Sequence, residues 1–280
     1  MDKEFKKFNE NFSIEKSLGS GSYGSVYLVS GKGQQYAVKF IPYNPDAVER
    51  VVSEVQITSK VNSPYIVTYY GLYISDVTLE GKTKRYYLLP MKYIPGVTLD
   101  KFIRVLPKIN RQEYQRTILL LMKQVFSALR DLHNKGIVHA DIKEENVLVD
   151  KTAQIHLIDF GLSCTEGNCV NRGTPLYMPW EIHEYYDEDQ EVFYKQDIWA
   201  AGVMFYRIVA GDYPYDGNNI DDLLNNLRND IRELPLPDWS THLNQIIDHA
   251  LTLEWRDRPD ANEMILMIDE ELSTFPPLSS

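Results

Sequence analysis

The stretch that decides the fold reads His139-Ala140-Asp141-Ile142-Lys143-Glu144-Glu145-Asn146, and Asp159-Phe160-Gly161 follows it. It supplies, in chain order, a carboxylate, a lysine, an amide and a second carboxylate. Phosphoryl transfer needs a group that orients a hydroxyl, a cation that stabilises the transferring phosphoryl group, and oxygen ligands for Mg²⁺. The block therefore predicts a phosphoryl-transfer site built from these four side chains.

The part of the chain that holds this block is predicted to be mainly helical. Apolar residues recur at three- and four-residue spacing in Tyr114–Leu132, Asp197–Val209 and Leu243–Leu253, which is the period of a helix with one buried face. Between these segments, Asn146–Val149 and Ile155–Ile158 are predicted to pair as a short hairpin.

The first part of the chain, from Phe12 to about Tyr93, has a different pattern. Its apolar runs are short, rich in Val, Ile and Tyr, and separated by turn residues, which is typical of antiparallel strands. One helix interrupts the strands. It is predicted to begin at Asn44-Pro45, a capping residue followed by proline at the first helical position, and to end near Lys60.

A glycine motif, Gly19-Ser20-Gly21-Ser22-Tyr23-Gly24, precedes two predicted strands that are joined by a Gly-containing turn. By itself the motif is a weak signal, because dinucleotide-binding folds use the same spacing. A Rossmann fold would open a helix directly after it, and here no helix follows. The motif therefore predicts a hairpin whose backbone N–H groups can cover a triphosphate. A glycine-rich hairpin without a ligand is the alternative.

Lys39, in the second strand after the motif, has two interpretations. It is either an exposed strand lysine or a point charge for phosphate groups, and the second role needs a carboxylate that holds the ammonium in place. Glu49 and Glu54 on the following helix are the candidates. Helical periodicity does not choose between them.

Composition limits the class of protein. A length of 280 residues, 44% of them hydrophobic, and a net charge of −11 indicate an acidic globular protein that can bury a substantial core. The negative charge disfavours nucleic acid and anionic lipid as partners, and no apolar run approaches the roughly 20 residues of a membrane span. Two cysteines are too few for a disulfide scaffold, and the charged start does not resemble a secretory signal, so a reducing, cytoplasmic location is expected.

Together, these ordered motifs resemble those of the eukaryotic-type protein kinase domain, from about Phe12 to Leu272. The resemblance implies an α+β, bilobal fold, with a small antiparallel sheet and one helix in the N-lobe and a larger, mainly helical C-lobe. It places the N-lobe at 12–91, the hinge at 92–96 and the C-lobe at 97–272. A short extension at 1–11 and a tail at 273–280 complete the expected organisation.

The resemblance also implies site residues and cofactors, ATP and Mg²⁺, with Mn²⁺ as an alternative metal. Lys39 matches the lysine on the α- and β-phosphates, and Glu54 becomes the favoured partner, because the sequence after it fits the family's helix-to-strand connection. Asp141 matches the catalytic aspartate and Lys143 the catalytic-loop lysine. Asn146 and Asp159 match the metal ligands. The other residues implied in ATP binding are Leu18, Gly19, Ser20, Gly21, Ser22, Tyr23, Gly24, Val26, Ala37, Met91, Lys92, Ile94 and Leu148.

Within that set, the resemblance gives separate roles around the adenine ring. Ala37 and Leu148 are expected to enclose the ring, and Met91 to be the gatekeeper. The backbone C=O of Lys92 and N–H of Ile94 are expected to bind its edge. Because the backbone makes those contacts, lysine at position 92 is expected to be tolerated in place of the acidic residue common there.

Further matches concern the helical lobe. Lys143 and the segment Gly173-Thr174-Pro175-Leu176-Tyr177-Met178 resemble serine/threonine rather than tyrosine kinases. Glu181 is expected to form a buried ion pair with Arg258, and breaking one side of such a pair costs on the order of 3–5 kcal/mol. The segment from Asp197 to Gly202 resembles part of the helix that anchors the catalytic loop in the family.

Ala140 departs from the family, which usually has arginine there (His-Ala-Asp, the non-RD type). That arginine pairs with a phosphate on the activation loop, and alanine cannot make the contact. Between Asp159 and Glu181, only Ser163, Thr165 and Thr174 are candidate acceptor hydroxyls. Activity is therefore expected not to require phosphorylation of this segment.

Two other features leave alternatives open. Thr58 stands where the family usually has an apolar residue, so either the helix is mobile until an activating or scaffolding partner docks, or neighbouring side chains fill the gap. Cys164 and Cys169 both lie in the activation segment. They are expected to be two unrelated thiols, and a redox switch is the alternative.

The expected function is transfer of the γ-phosphate of ATP to serine or threonine hydroxyls of proteins. A pseudokinase scaffold is the first rival, suggested by Ala140, Thr58 and Met178-Pro179-Trp180. A small-molecule phosphotransferase is the second rival. Because the departures spare every catalytic position, the active kinase is favoured over the scaffold. The segments 173–178 and 197–202 resemble parts of the family's peptide-binding lobe and count against the small-molecule phosphotransferase.

The charge is divided unequally along the chain, which bears on the substrate. Residues 1–96 hold 12 Lys and Arg and 9 Asp and Glu, whereas residues 97–280 hold 17 and 31. The acid therefore lies in the lobe that holds a peptide substrate in the family, and Glu145 matches a position that contacts a substrate arginine. A preference for basic substrates is expected. A local acidic cluster adds to this expectation and comprises Glu181, Glu184, Asp187, Glu188, Asp189 and Glu191.

Overall fold

A computed structural model of the protein describes the chain in eight stretches, which are residues 12–21, 24–31, 33–79, 81–106, 110–184, 189–231, 236–237 and 240–276. The chain forms two compact units. Among the described residues, one comprises Phe12–Asn62 together with Ile66–Pro95, and the other comprises Ser63–Tyr65 together with Gly96–Pro276. The predicted extension at 1–11 lies outside the described residues.

The first unit is a five-stranded antiparallel sheet in the order β1-β2-β3-β5-β4. Its strands are β1 (Phe12–Gly21), β2 (Gly24–Gly31), β3 (Gln34–Pro42), β4 (Tyr73–Leu79) and β5 (Lys82–Lys92). The central strands β3 and β5 each carry five consecutive buried residues. Strands covered on both faces are apolar along their length, which explains the short continuous apolar runs in the sequence.

One helix, α1 (Val48–Ser59), follows β3 through a 3₁₀ turn at Pro45–Ala47. The side chain of Asn44 caps this turn by accepting a hydrogen bond from the N–H of Asp46 at 3.0 Å, and proline suits the first position because its missing N–H would have no helical partner. The predicted helix between Asn44 and Lys60 is therefore confirmed. Its buried face includes Glu54, a carboxylate among apolar residues.

The second unit is mainly helical. Its helices are α2 (Leu99–Val105), α3 (Arg111–His133), α4 (Trp180–His183), α5 (Glu191–Ala210), α6 (Ile220–Arg228), α7 (Thr241–Ala250) and α8 (Ala261–Ser273). Helix α5 is buried along most of its length, with Asp197 and Trp199 both fully buried. A helix that is apolar nearly all round belongs in a core. It begins at Glu191, six residues before the predicted start at Asp197, because Val192 and Phe193 are also buried and the polar Lys195 and Gln196 interrupt the apolar pattern after them.

Short strands complete the second unit. Strands β6 (Gly96–Thr98), β8 (Val147–Asp150) and β9 (Ile155–Leu157) form one antiparallel sheet, and β7 (Ile137–Val138) pairs with β10 (Cys164–Thr165). The pairing of β8 with β9 confirms the predicted hairpin. The catalytic block thus lies between two strand pairs, which fix both of its ends.

The architecture confirms the predicted α+β class, with a small antiparallel sheet and one helix in the first unit and a larger, mainly helical second unit. The described residues include no helix whose length and apolarity would let it cross a bilayer.

Candidate active site

The loop that contains Asp141 is fixed by a buried carboxylate in the core of the second unit. Asp197 of α5 accepts hydrogen bonds from the backbone N–H groups of His139 and Ala140, each at 2.9 Å. The ring of His133 lies 2.9 Å from the same carboxylate. Because Asp197 is fully buried, these bonds form away from water, where each is stronger. The loop is therefore held in one conformation before any substrate binds.

The carboxylate of Asp141 is oriented by three side chains. Thr174 donates to Oδ1 at 2.6 Å, Asn146 donates to Oδ2 at 2.9 Å, and the ammonium of Lys143 lies 2.8 Å from Oδ2. Lys143 also lies 2.8 Å from the hydroxyl of Thr174. A carboxylate held in this way can orient a hydroxyl and accept its proton, while the lysine supplies positive charge next to the reacting atoms.

The residues expected to hold a metal lie on adjoining segments. The N–H of Ile158, next to Asp159, donates to the backbone oxygen of Asn146 at 2.9 Å. The amide nitrogen of Asn146 donates to Asp141, which leaves its side-chain oxygen to act as a ligand. Asp159 supplies a carboxylate from a left-handed backbone conformation, with φ of 60°. Amide and carboxylate oxygens are the ligands that Mg²⁺ prefers, so this donor set fits the ion.

The segment after Asp159 is tied back to the catalytic loop. The ring of Phe160 lies 4.9 Å from that of His139, and the hydroxyl of Ser163 donates to the backbone oxygen of His139 at 3.0 Å. Strand β10 pairs Cys164 with Val138 and Thr165 with Ile137. The start of the activation segment is thus packed into the second unit by side-chain and backbone contacts.

Cys164 and Cys169 form a disulfide bond. The expectation of two unrelated thiols was therefore wrong. The turn after β10 brings the two side chains together, and both are buried in an apolar cluster. A separation of five residues permits such a bond but does not show whether the chain brings the two side chains together.

Ala140 lies in the same apolar cluster, with its side chain 4% exposed and φ of 64°. The cluster consists of Val138, Ala140, Cys164, Cys169, Met178, Ile182, Val192, Phe193 and Trp255. An arginine at position 140 would place a guanidinium among apolar side chains and the disulfide. The position is therefore suited to a small apolar residue, and packing supplies contacts where the family usually has an ion pair.

Glu181 and Arg258 form the predicted buried ion pair, with 2.8 Å between Oε1 and Nη1. Arg258 also donates to the backbone oxygens of Thr252 and Lys195 and lies over the ring of Trp199. Burial raises the pKa of Glu181 and lowers that of Arg258, and their mutual attraction opposes both shifts. The pair is confirmed.

The same observation corrects the acidic cluster assigned to the surface. Glu181 is 6% exposed, so its charge is balanced inside the protein and does not act on a substrate. Glu184 is paired with Arg228. Asp187 and Glu188 lie outside the described residues. The remaining surface acid around this point is Asp189 and Glu191.

In the first unit, Lys39 pairs with Glu54 rather than with Glu49. The Nζ atom of Lys39 lies 2.7 Å from Oε1 of Glu54, and both side chains are buried. Glu49 is exposed. The hydroxyl of Tyr69 donates to the same oxygen of Glu54 at 2.9 Å. The sequence did not reveal Tyr69, because it lies outside every motif and 15 residues from its partner.

The glycine motif forms the end of the β1–β2 hairpin, in which Gly19 pairs with Val26 and Gly21 with Gly24. A Cβ atom at Gly24 would lie 2.4 Å from the backbone oxygen of Phe40, so only glycine fits there. Around Gly19 and Gly21, a Cβ atom would meet no described atom within 4 Å. The flanking positions Leu18 and Ser20 are exposed. Ser22 and Tyr23 lie outside the described residues.

The residues expected around adenine are divided between the two units. Ala37 on β3 pairs with Met91 on β5, and both are buried. Lys92 ends β5 and donates its N–H to the backbone oxygen of Thr68 at 2.9 Å, and Ile94 is buried. Leu148 lies in the second unit, on β8, so its expected role opposite Ala37 remains a prediction.

Thr58 is buried in α1, and its hydroxyl donates to the backbone oxygen of Val55 at 3.0 Å. The hydroxyl is thus satisfied within its own helix. A threonine that bonds back into its helix can take an apolar environment without leaving a buried donor unpaired. Both interpretations of Thr58, a mobile helix and a gap filled by neighbouring side chains, remain predictions.

Comparison with known proteins agrees with this geometry. Residues 12–267 match the family model described as protein kinase domain. The serine/threonine-protein kinase pakH of Dictyostelium discoideum is 31% identical over 73% of this chain and 38% of its own length. Calcium-dependent protein kinase 5 of Plasmodium berghei is 31% identical over 91% of this chain and 45% of its own length.

The serine/threonine-protein kinase nekl-2 of Caenorhabditis elegans is 27% identical, over 91% of this chain and 73% of its own length. The chain thus spans less than half the length of the first two relatives and most of the third. The family model covers most of the chain. The matched residues include the Lys39–Glu54 pair and the side chains around Asp141. The chain belongs to the protein kinase domain family.

Proposed function

We propose that the protein is an ATP-dependent serine/threonine protein kinase. The observation that carries the proposal is the Asp141 carboxylate, which Thr174, Lys143 and Asn146 hold within 2.6–2.9 Å. This carboxylate orients the acceptor hydroxyl and takes its proton as the hydroxyl oxygen attacks the γ-phosphorus of ATP, whose bond to the bridging oxygen breaks so that ADP leaves. Lys143 stabilises the negative charge that the phosphoryl group carries during transfer.

The other candidate side chains bind and position the nucleotide. Lys39 is held by Glu54 at 2.7 Å, so its ammonium is fixed in place as a point charge for phosphate oxygens. The open hairpin end at Gly19 and Gly21 allows close approach of backbone N–H groups to phosphate. Asn146 and Asp159 would hold Mg²⁺, and the bound ion would supply positive charge that neutralises phosphate oxygens.

Activity does not require phosphorylation of the activation segment. Two of its three candidate hydroxyls already have structural roles, since Ser163 bonds to His139 and Thr174 bonds to Asp141. Ala140 offers no cation for a phosphate on the third, Thr165. A phosphatase-treated sample and a Thr165→Ala variant should both keep their activity, and loss of all activity in either would contradict this part of the proposal.

The substrates are proteins, and basic ones are preferred. The residues from 97 onward carry an excess of acid over base, and Glu145, next to the metal ligand Asn146, is exposed. An acidic surface raises the local concentration of a basic partner. Glu145 is the carboxylate closest in sequence to Asp141 that remains accessible to a substrate side chain.

One assay tests the proposed activity. The protein is incubated with labelled ATP, Mg²⁺ and a mixture of basic proteins, and the wild type is compared with Asp159→Ala. The wild type should label protein, and the variant should not, because it lacks a metal ligand. Glu270→Ala, which removes an exposed carboxylate on α8, is the matched control and should label protein as the wild type does.

The alternatives predict different results in the same assay. A scaffold would bind nucleotide and transfer no label to protein, and equal labelling by the wild type and Asp159→Ala would show that a contaminant is responsible. A small-molecule phosphotransferase would consume ATP in the presence of small hydroxyl compounds without labelling protein. Either result would overturn the proposed function.

A further inference from the structure

A buried cation site lies beside the catalytic loop, and the protein's own Arg207 fills it. Glu144 begins the 3₁₀ turn Glu144–Asn146, and its side chain is 3% exposed. One of its oxygens accepts a hydrogen bond from Nη1 of Arg207 at 2.7 Å, and the other accepts one from the hydroxyl of Tyr177. Both carboxylate oxygens of Glu144 are therefore satisfied within the protein.

Aromatic groups complete the site around the guanidinium. The central carbon of the Arg207 guanidinium lies 4.6 Å from the centre of the Tyr213 ring. Its Nη1 atom also donates to the hydroxyl oxygen of Tyr177 at 3.2 Å. The rings of Tyr177 and Tyr213 meet edge to face, with 5.6 Å between their centres. A carboxylate, a hydroxyl oxygen and an aromatic face are groups that bind guanidinium well.

The carboxylate of this site depends on the cation. Glu144 is 3% exposed, and its two oxygens accept hydrogen bonds from Arg207 and from Tyr177. Without Arg207, one oxygen of this buried carboxylate would lose its partner and be available to another cation. The side chain of Arg207 is 31% exposed, so a cation from outside could reach the space that it occupies.

The site lies within reach of a residue near the substrate's acceptor. Glu144 follows Asp141 by three residues, and Tyr177 follows Thr174, the hydrogen-bond donor to Asp141, by three residues. The 3₁₀ turn Pro175–Tyr177 puts Tyr177 about 6 Å along the chain from Thr174. Asp141 precedes the turn that begins at Glu144, so these two residues are at most about 10 Å apart along the chain. Two residues of extended substrate peptide span about 7 Å. A side chain two or three positions from the acceptor therefore reaches this part of the surface.

We infer that Arg207 is a specificity-determining residue that occupies, from within the chain, a site that would otherwise select a basic substrate side chain. The inference rests on the proposed kinase function and restricts the proposed preference for basic substrates. Glu145 is exposed and forms no ion pair with the described part of the chain, so it remains the nearby carboxylate for a basic residue. Glu144 is not available for that role while Arg207 is present.

Peptide arrays test the inference. A serine peptide is varied by placing Arg or Ala at each of the three positions on either side of the acceptor, and kcat and KM are measured with ATP and Mg²⁺. Arg207→Met removes the cation and keeps apolar volume. For each enzyme, kcat/KM for the Arg peptide is divided by kcat/KM for the Ala peptide. At one of the positions two or three residues from the acceptor, this ratio should be about ten-fold higher for Arg207→Met than for the wild type, mainly through KM, because the substrate gains a hydrogen bond to a buried charge.

Three controls separate specificity from stability. In Glu144→Gln/Arg207→Met, the gain should disappear, because the carboxylate that would bind the substrate is absent. Arg207→Lys, which keeps the charge, should have the wild-type profile. Arg104→Met removes an exposed arginine from α2 and should change nothing. Thermal denaturation of each variant shows whether it is folded.

Failure of the inference and failure of the proposed function give different results. A wild type that labels no peptide overturns both. A wild type that labels peptides, together with a folded Arg207→Met variant of unchanged profile, overturns the inference alone. The inference is also overturned if the wild type already prefers Arg two or three positions from the acceptor and Glu144→Gln lacks that preference. This outcome does not depend on whether the Arg207 variants fold.

Discussion

At the scale of single residues, the site depends on side chains that hold the chemical groups in place. Glu54 accepts hydrogen bonds from both Lys39 and Tyr69, and Asp141 is contacted by three neighbours. A buried carboxylate with two or more donors is fixed more firmly than one with a single ion pair. Removing a supporting donor should therefore weaken function without abolishing it.

Tyr69→Phe tests this at Glu54. The variant removes one hydrogen bond to a buried carboxylate, so we expect a loss of about 1 kcal/mol in the free energy of unfolding and a KM for ATP a few-fold higher, because Lys39 is less firmly held. Chemical denaturation and steady-state kinetics measure the two effects. Tyr70→Phe, at an exposed neighbouring position, is the control. Identical values for the wild type and Tyr69→Phe would contradict the role assigned to Tyr69.

Ala140→Arg tests the apolar environment at position 140. The side chain of Ala140 is 4% exposed and lies in the apolar cluster, so arginine would bury an unpaired charge there. The backbone has φ of 64°, which alanine and arginine tolerate equally poorly. We expect a loss of more than about 2 kcal/mol in the free energy of unfolding and a matching loss of labelling activity. Ala140→Gly, which suits the left-handed backbone, should stay close to the wild type. An Ala140→Arg variant with wild-type stability would show that the cluster can open.

At the scale of elements, the activation segment and the β8–β9 hairpin each contain a local device that fixes a turn. In the activation segment the device is the disulfide between Cys164 and Cys169. In the hairpin it is Asp150, whose carboxylate accepts hydrogen bonds from Thr152 and Gln154 and lies 3.1 Å from the His156 ring. Both devices stabilise short loops next to residues of the candidate site.

The disulfide predicts a stability that depends on reductant. Closing so short a loop restricts the unfolded chain, which corresponds to about 2 kcal/mol by chain entropy. We expect dithiothreitol, which is oxidised as it reduces the bond to two thiols, to lower the melting temperature of the wild type. The double variant Cys164→Ser/Cys169→Ser should melt at the lower temperature with or without reductant. Equal melting of the wild type under both conditions would contradict the prediction.

Labelling activity measured on the same samples decides whether the bond also acts as a switch. Activity that follows the redox state would support that alternative, and unchanged activity would exclude it.

Asp150 predicts a dependence of stability on pH. Burial acts to raise the pKa of Asp150, but the hydrogen bonds from Thr152, His156 and Gln154 outweigh it and lower the pKa below its ordinary value. The folded state therefore favours the ionised form, and its contribution is complete at neutral pH and lost as the pH falls below about 4. Asp150→Asn should show a shallower loss of stability in acid.

The measurement is the free energy of unfolding between pH 2 and pH 7, with urea as denaturant. Asp257→Asn, at an exposed aspartate, should keep the wild-type acid dependence. If Asp150→Asn and the wild type lost stability in parallel, the hydrogen bonds to Asp150 would not distinguish its two protonation states.

At the scale of the whole molecule, the unequal distribution of charge predicts an effect of salt. Residues from 97 onward carry most of the acid, and surface charges are screened over about 8–10 Å at physiological ionic strength. We expect kcat/KM for a basic peptide to fall as NaCl is raised from low to physiological concentration. The fall should come from a rise in KM, with kcat unchanged. A neutral peptide of the same length is the control. Equal salt dependence for both peptides would assign the acid to a solvated surface without a role in substrate capture.

The sequence allowed much of this molecule to be predicted, because the informative residues are close together in the chain. The functional groups from His139 to Asn146 lie within eight residues, so their spacing can be read directly. The start of the helix after Asn44 is indicated by a capping residue followed by a proline. The Lys39–Glu54 pair was also predictable once the family's frame was applied. Such features depend on local spacing, which a single sequence displays directly.

Other features could not be predicted, because they depend on contacts between distant residues. Glu144 and Arg207 are 63 residues apart, and nothing in the spacing of either indicates the other. Tyr69 lies in no motif. Glu181 was predicted to be buried with Arg258, so its place in the surface acidic cluster was inconsistent with that prediction. The disulfide was missed for a different reason, because a separation of five residues permits the bond without showing that the two side chains meet.

The buried carboxylate of Asp197 has a consequence for how the molecule opens locally. Loops that bear catalytic groups are usually among the first parts of a protein to unfold. Here the N–H groups of His139 and Ala140 end on a fully buried side chain of α5, so they cannot be exposed to solvent unless that helix is disturbed. The catalytic loop and helix α5 therefore behave as one cooperative folding unit, and the free energy of opening the loop is close to that of unfolding the second unit.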